Sequence, residues 1–103
     1  MNLYVEAEIF IVDSDGEPVT GEDLEATMDD LLEHLPLIAT DGDVAAEMST
    51  GKLTLCFYVE ADSPARAFEQ TDRIVETVTK AAGLEDEATR WGKLTATPQL
   101  VPA

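Results

Sequence analysis

Four stretches of the chain alternate between apolar and polar residues. Side chains two positions apart lie on the same face of a β-strand, so this alternation predicts strands with one buried face each. The predicted strands are residues 3–12, 43–48, 53–61 and 92–97. Clusters of Asp, Ser, Gly and Pro predict turns between them. These turns are residues 13–18, 41–42 and 49–52.

A first helix is predicted after the first strand. Thr20 is suited to the N-cap position, and Asp23 stands where a capping box has its acidic partner. Pro36 is expected to end this helix because proline lacks the backbone N–H of a helix interior. The apolar residues at helical spacing are Leu24, Met28, Leu31, Leu32 and Leu35.

A second helix follows the third strand. Ser63 is the expected N-cap, and Pro64 occupies the first helical position, where proline is favoured. Gly83 is expected to close the helix in the left-handed conformation, with Leu84 making the apolar contact of a Schellman motif. The expected buried stripe is Ala67, Thr71, Ile74, Val78 and Ala81, flanked by Phe68, Val75 and Ala82.

The predicted order β-α-β-β-α-β indicates one α+β domain over residues 1–98, with a short C-terminal tail at 99–103. Alternating strands are typical of an antiparallel sheet covered on one face. The arrangement with this element order is the ferredoxin-like two-layer sandwich, with sheet order 4-1-3-2 and both helices on one face. Many unrelated activities share that fold, so it does not define a function.

The sheet face opposite the helices is the candidate functional surface. It combines aromatic side chains with carboxylates, and an exposed sheet face of this kind is commonly covered by a partner. Because soluble oligomers are usually symmetric, we expect a homodimer and a role as an interaction or assembly module. The expected interface residues are Tyr4, Glu6, Glu8, Phe10, Cys56, Tyr58 and Glu60.

The chain is strongly acidic, with 22 Asp and Glu against 6 Lys and Arg and a net charge of −16. Such a charge repels phosphate backbones and anionic lipid, so nucleic acid and membrane partners are not expected. A high-salt proteome, a basic protein partner and mimicry of nucleic acid each fit this charge. The alternative function is therefore an acidic decoy or inhibitor of a basic, nucleic-acid-binding protein.

The remaining composition points to a cytoplasmic protein without a cofactor. No stretch approaches the ~20 apolar residues of a membrane span, and the first residues lack the basic segment of a secretory signal. Cys56 is the only cysteine, which leaves neither an internal disulfide nor a cysteine-based metal cluster. The sequence contains no phosphate-binding glycine loop and no nucleophile elbow.

Residues 13–17 resemble the start of a calcium loop, but the later ligands of an EF-hand are missing, so a simple turn is favoured. The predicted topology brings this turn close to residues 83–92. Together the two segments form an acidic rim in which weak binding of a divalent cation is a hypothesis. The rim residues are Asp13, Asp15, Glu85, Asp86 and Glu87.

An enzymatic alternative rests on the carboxylates of the candidate face. A partly desolvated Glu6, Glu8 or Glu60 among aromatic side chains could act as a general base on a small substrate. His34 is expected in the last turn of the first helix, where a cation suits the helix dipole. Cys56 has acidic neighbours, which disfavour a reactive thiolate.

Overall fold

The computed structural model describes residues 1–98; the predicted tail at 99–103 lies outside the described residues, as does the side chain of Asp86. The described chain forms four strands, two long helices and one short 3-10 turn at Asp86–Ala88. The long elements are β1 (Asn2–Ile11), α1 (Gly21–Ile38), β2 (Thr40–Glu47), β3 (Lys52–Glu60), α2 (Pro64–Ala81) and β4 (Thr89–Pro98). This confirms the predicted element order.

The four strands form one antiparallel sheet in the order β2-β3-β1-β4. This is the predicted order read from the other edge, so the two most regular strands, β1 and β3, are central. Their register pairs Val5 with Phe57 and Tyr4 with Tyr58. Directly opposite residues share a face of the sheet, so the first pair enters the core and the second lies on the opposite face.

The core lies between the sheet and the two helices. Both helices and the odd-numbered residues of β1 and β3 contribute to one cluster of buried apolar side chains. Phe57 is the largest fully buried residue, and Leu24, Leu31 and Leu35 of α1 pack there with no exposed surface. Within the described part of the chain, no helix is long and apolar enough to cross a membrane.

Helix α1 differs from the prediction at both ends. Thr20 occupies the N-cap position, but its side chain makes no capping hydrogen bond. The prediction that Pro36 ends the helix is wrong, because α1 continues to Ile38 and Ala39 N still donates to Leu35 O at 2.9 Å. His34 therefore lies just before the last turn, and its Nδ1 is 2.8 Å from Asp30 O.

Both predicted ends of helix α2 are confirmed. The Ser63 hydroxyl accepts a hydrogen bond from Arg66 N at 3.3 Å. At the other end Gly83 has φ +79°, and Leu84 N donates to Thr79 O at 2.9 Å, which defines a Schellman motif. The predicted buried stripe is partly wrong: Ala81 is exposed and Ile74 only partly buried. The buried residues are Ala67, Thr71, Val75, Val78 and Thr79.

Strand β2 begins earlier than predicted. The expected turn at Asp41 and Gly42 is instead part of the strand, where the pairing with β3 is irregular and Asp41 has φ +52°. A Cβ on Gly42 would lie 2.7 Å from Leu35 Cγ, so glycine is needed here for the close approach of β2 to α1.

Strand β4 also begins earlier than predicted, at Thr89, and it contains a β-bulge. Two of its residues, Gly92 and Lys93, stand opposite the single residue Glu8 of β1. Lys93 N donates to the Glu8 carboxylate at 3.2 Å. The bulge reverses the alternation of β4, so that Trp91 lies on the helix side and Arg90 on the opposite side, across from Phe10.

Candidate interaction face

The face of the sheet that the helices leave uncovered, hereafter the open face, is crossed by rows of side chains in register. One row runs across all four strands and ends in charges of opposite sign. It consists of Glu47, Lys52, Phe10 and Arg90. A second row, near the other end of the strands, is uncharged. It consists of Thr40, Tyr58, Tyr4 and Thr97.

Between these rows the open face carries both acidic and neutral side chains. Glu6 stands opposite Cys56 on β3 and Thr95 on β4, and Glu8 stands opposite Thr54. Asp43 of β2 extends the row of Cys56 to the sheet edge. The seven predicted interface residues therefore share one face, apart from Glu60 at its margin, where Oε1 lies 3.2 Å from the Met1 amino nitrogen. Their participation in an interface stays a prediction.

Lys52 neutralises much of the negative charge at one end of the open face. Its Nζ lies 3.2 Å from Glu47 Oε2 and 3.6 Å from Glu8 Oε2. The hydrogen bond that Lys52 donates to Glu47, and then the charge of Glu8, raise the pKa of Lys52 above its usual value. The ammonium group therefore stays charged at neutral pH.

Glu8 is the central carboxylate of this group. One of its oxygens faces Lys52, and the other accepts the backbone N–H of Lys93 in the bulge. Beside it, a Cβ on Gly92 would lie 2.8 Å from Phe10 Cε2, so the glycine makes room for the Phe10 ring. The Glu8 carboxylate is engaged by two structural contacts, which argues against its use as a general base.

At the other end of the open face, two tyrosines form a ring pair. The Tyr4 and Tyr58 centroids are 5.2 Å apart with planes inclined at 52°, within the range of favourable aromatic contacts. A hydrogen bond between the Tyr4 and Cys56 side chains, and then burial and neighbouring negative charge, raise the pKa of Tyr4 to about 12. Tyr4 is therefore a neutral phenol throughout the physiological range.

We expect this pKa to be visible in an alkaline titration. Tyr58→Phe leaves Tyr4 as the only tyrosine, and its absorbance at 295 nm should titrate near pH 12. Because the folded pKa is raised above the unfolded value of ~10, the associated stabilisation is complete below pH ~10 and is lost as the pH rises through 12. Adding Cys56→Ala should lower the midpoint. A midpoint near 10 in protein that circular dichroism shows to be folded would contradict this.

The largest exposed apolar side chains lie away from the open face, and sequence reasoning missed them. Leu37 is 84% exposed and Trp91 is 48% exposed. Leu37 follows Pro36, so it was outside the predicted helix, whereas Trp91 was outside the predicted last strand. Trp91 borders a depression of about 200 Å³ between β4 and α2, which is also lined by Asp72 and Glu76. Trp91 lies on this side of β4 because of the bulge, and the alternation of apolar and polar residues does not predict a bulge.

The acidic rim is brought together only in part. Val12 N donates to Ala88 O at 2.9 Å, which confirms that the two predicted segments are adjacent. However, the Asp13 carboxylate accepts hydrogen bonds from the backbone N–H groups of Asp15 and Glu17, as a turn requires. Among the side chains that the structure describes, no three His, Cys, Asp or Glu residues are placed to hold a metal ion.

The fold and these contacts define an acidic α+β domain with one uncovered sheet face. No protein-family model matches the chain, and no curated protein is similar to it in sequence. The open face is therefore the feature of the molecule that points to a function.

Proposed function

We propose that this chain is a ferredoxin-like sandwich that acts in the cytoplasm as a small interaction or assembly module. Two copies associate through their open faces to form a homodimer. The element order and sheet order support the fold assignment. The observation that carries the functional proposal is the partly exposed, uncharged row around Tyr4 and Tyr58.

The uncharged row of Thr40, Tyr58, Tyr4 and Thr97, hereafter the tyrosine row, can be dehydrated at a low cost in free energy. The two rings are already in contact, so little side-chain entropy is lost when a partner covers them. The raised pKa of Tyr4 keeps this part of the face neutral. Tyrosine is also one of the side chains that most often contribute strongly to binding energy in protein interfaces.

The charge distribution favours the open face over the helix side for self-association. Helix α1 carries six acidic residues and no lysine or arginine, so two copies would repel each other there. On the open face, Lys52 compensates Glu8 and Glu47, and Arg90 adds a second cation. Contact through the open face therefore brings fewer uncompensated charges together.

A charge placed on the tyrosine row should abolish the dimer. Multi-angle light scattering in dilute solution is expected to give twice the 11.1 kDa chain mass for the wild type and the chain mass alone for Tyr58→Glu. The reason is that a new carboxylate would be buried against its own symmetry mate.

Thr77→Glu is the matched control because it adds the same charge on the exposed side of α2. It should keep the wild-type mass. A monomeric wild type at all concentrations, or a Tyr58→Glu variant with the wild-type mass, would contradict dimerisation through the open face.

A second candidate is an acidic decoy or inhibitor that occupies a basic, nucleic-acid-binding protein. The observation that favours it is again α1, whose six acids form a single-sign surface. Such a surface speeds and strengthens the encounter with a basic partner, and its effect falls steeply with salt. This is the weaker candidate because an acidic, solvated helix can be explained by its contribution to solubility, without a binding partner.

The third candidate, a small-substrate enzyme, has less support from the geometry. Glu8 is held by Lys52 and by the bulge. The depression beside Glu6 and Glu8 measures about 200 Å³, below the ~300 Å³ at which ligand pockets usually begin. The depression of about 340 Å³ at Tyr58 is large enough, and it is bordered by Asn2, Thr40 and Asp41.

A further inference from the structure

The two edges of the sheet carry opposite charge. Edge strand β4 (Thr89–Pro98) contains two cations, Arg90 and Lys93, and no acidic residue. Edge strand β2 (Thr40–Glu47) contains three acidic residues and no cation. In a chain with 22 acids and 6 cations, an acid-free strand of ten residues is a marked local reversal of charge.

The cations of β4 are also without ion pairs among the described side chains. Lys52, Arg66 and Lys80 each have a carboxylate partner between 2.8 and 3.6 Å away. Arg90 and Lys93 form no such pair within the part of the chain that the structure describes, and neither does Arg73 on α2. Their charges are therefore available to a partner that approaches the β4 edge.

Strand direction makes the two edges compatible. Every neighbouring pair in the order β2-β3-β1-β4 is antiparallel, so the two edge strands run in opposite directions. A second copy moved sideways within the plane of the sheet therefore places its β2 antiparallel to β4 of the first. The helices of both copies then remain on the same side of one continuous sheet.

We propose that a second copy of this chain docks by its β2 edge onto the β4 edge, which gives a head-to-tail assembly. Arg90 and Glu47 end the same row of the sheet, so this docking sets Arg90 beside Glu47 of the next copy. Lys93 then lies near Ala45, between Glu47 and Asp43 of that copy. Opposite charges in such cross-strand positions attract.

The same charges disfavour the alternative edge pairings. Two β4 edges would bring four cations together, and two β2 edges would bring six acids together. Charged residues on edge strands, lysine above all, generally prevent unwanted pairing. Here the charges make β2 against β4 the one edge pair with attraction, so the wrong pairings are disfavoured by repulsion.

One exposed aromatic side chain lies on the helix side of β4. Trp91 is 48% exposed and borders the depression against α2, together with Asp72 and Glu76. In the docked pair, α1 of the next copy stands beside α2 over this surface.

This edge contact goes beyond the proposed homodimer and does not require Tyr4 and Tyr58, the residues that carry the open-face proposal. It should be tested in the Tyr58→Glu background, where any contact through the open face is removed. The variants are Arg90→Glu, Glu47→Arg and the two combined. Arg73→Glu is the matched control, since it makes the same charge change on the exposed side of α2.

Sedimentation velocity over a range of protein concentrations gives the apparent dissociation constant of the edge contact. Each single reversal should raise it about tenfold, because one attractive cross-strand pair becomes repulsive. The combined variant should return to within about threefold of the background. Arg73→Glu should leave the constant within about twofold, and circular dichroism should show every variant folded.

Three results would overturn the edge contact. The first is a Tyr58→Glu background protein that stays at the chain mass even when it is concentrated well beyond the range of the light-scattering experiment. The second is an Arg90→Glu effect no larger than that of Arg73→Glu, or a combined variant no better than the singles. The third is tighter association of Arg90→Glu, which would indicate two β4 edges in contact. The open-face dimer is tested separately, by the masses of the wild type and of Tyr58→Glu in dilute solution.

Discussion

Phe57→Ala is expected to lower the free energy of unfolding by about 3–5 kcal/mol. Phe57 lies in the middle of β3, has no exposed surface and is the largest fully buried side chain. Its removal loses the transfer free energy of the ring and leaves a cavity under both helices. Since domains of this size are stable by about 5–15 kcal/mol, the variant should be close to the limit of folding.

Urea denaturation followed by circular dichroism measures this loss. Phe68→Ala is the control because it removes the same side chain from a site that is 38% exposed on α2. Its effect should stay below about 1.5 kcal/mol, since much of the ring is already in water. Equal losses for the two variants would show that the core is not where the structure puts it.

Gly51→Ala is expected to lower the free energy of unfolding by about 2–4 kcal/mol. Gly51 is buried in the β2–β3 hairpin at φ +76°, where an L-residue is strained. In addition, its new Cβ would lie 2.8 Å from Val19 O and 3.1 Å from Ile11 O, which are backbone atoms, and Ile11 O also accepts a hydrogen bond from Val19 N. The substitution must therefore displace the chain that follows β1.

Gly83→Ala separates the two causes. Gly83 has nearly the same conformation, with φ +79°, but no atom lies within 4 Å of a Cβ placed there. Its loss should be about 1 kcal/mol, from backbone strain alone. If Gly51→Ala destabilised the domain no more than Gly83→Ala in the same urea experiment, the close packing of the hairpin against β1 would be contradicted.

Local patterns were sufficient to predict most of the fold. Alternation in β1 and β3 gives both their position and their buried faces, because each strand has one face in the core. The Ser63 cap and the Gly83 end are local motifs whose hydrogen bonds depend on a few adjacent residues. Such features are visible in sequence because no distant contact is needed to form them.

The errors occur where tertiary packing overrides a local signal. Pro36 lacks only its own N–H, and α1 continues through it for one more half-turn to Ile38. Asp41 and Gly42 have turn chemistry, but the glycine is used for close packing against Leu35. The close packing of β2 against α1 arises only in the folded domain, so the residues around position 42 do not predict it.

The candidate site was predictable in outline and not in its chemistry. The residues of the open face follow from strand periodicity, and their rows follow from the sheet order. The contacts of Lys52 with Glu8 and Glu47 require the exact register of three strands. The exposure of Trp91 and the availability of Arg90 require the bulge, which depends on a contact between β1 and β4.

The bulge at Glu8 also determines on which side of the sheet each residue at the start of β4 lies. If the same ten residues of β4 formed a regular strand, Trp91 would lie on the open face and Arg90 on the helix side. The bulge places each of them on the opposite side. Because Gly92 is the extra residue, its loss would leave Lys93 alone across from Glu8, with Trp91 still across from Ile9 and Leu94 still across from Ala7. The indole would stay on the helix side and the guanidinium on the open face. A one-codon deletion during divergence of this domain would therefore remove the bulge without exchanging the two sides of the sheet edge and without any substitution in the core.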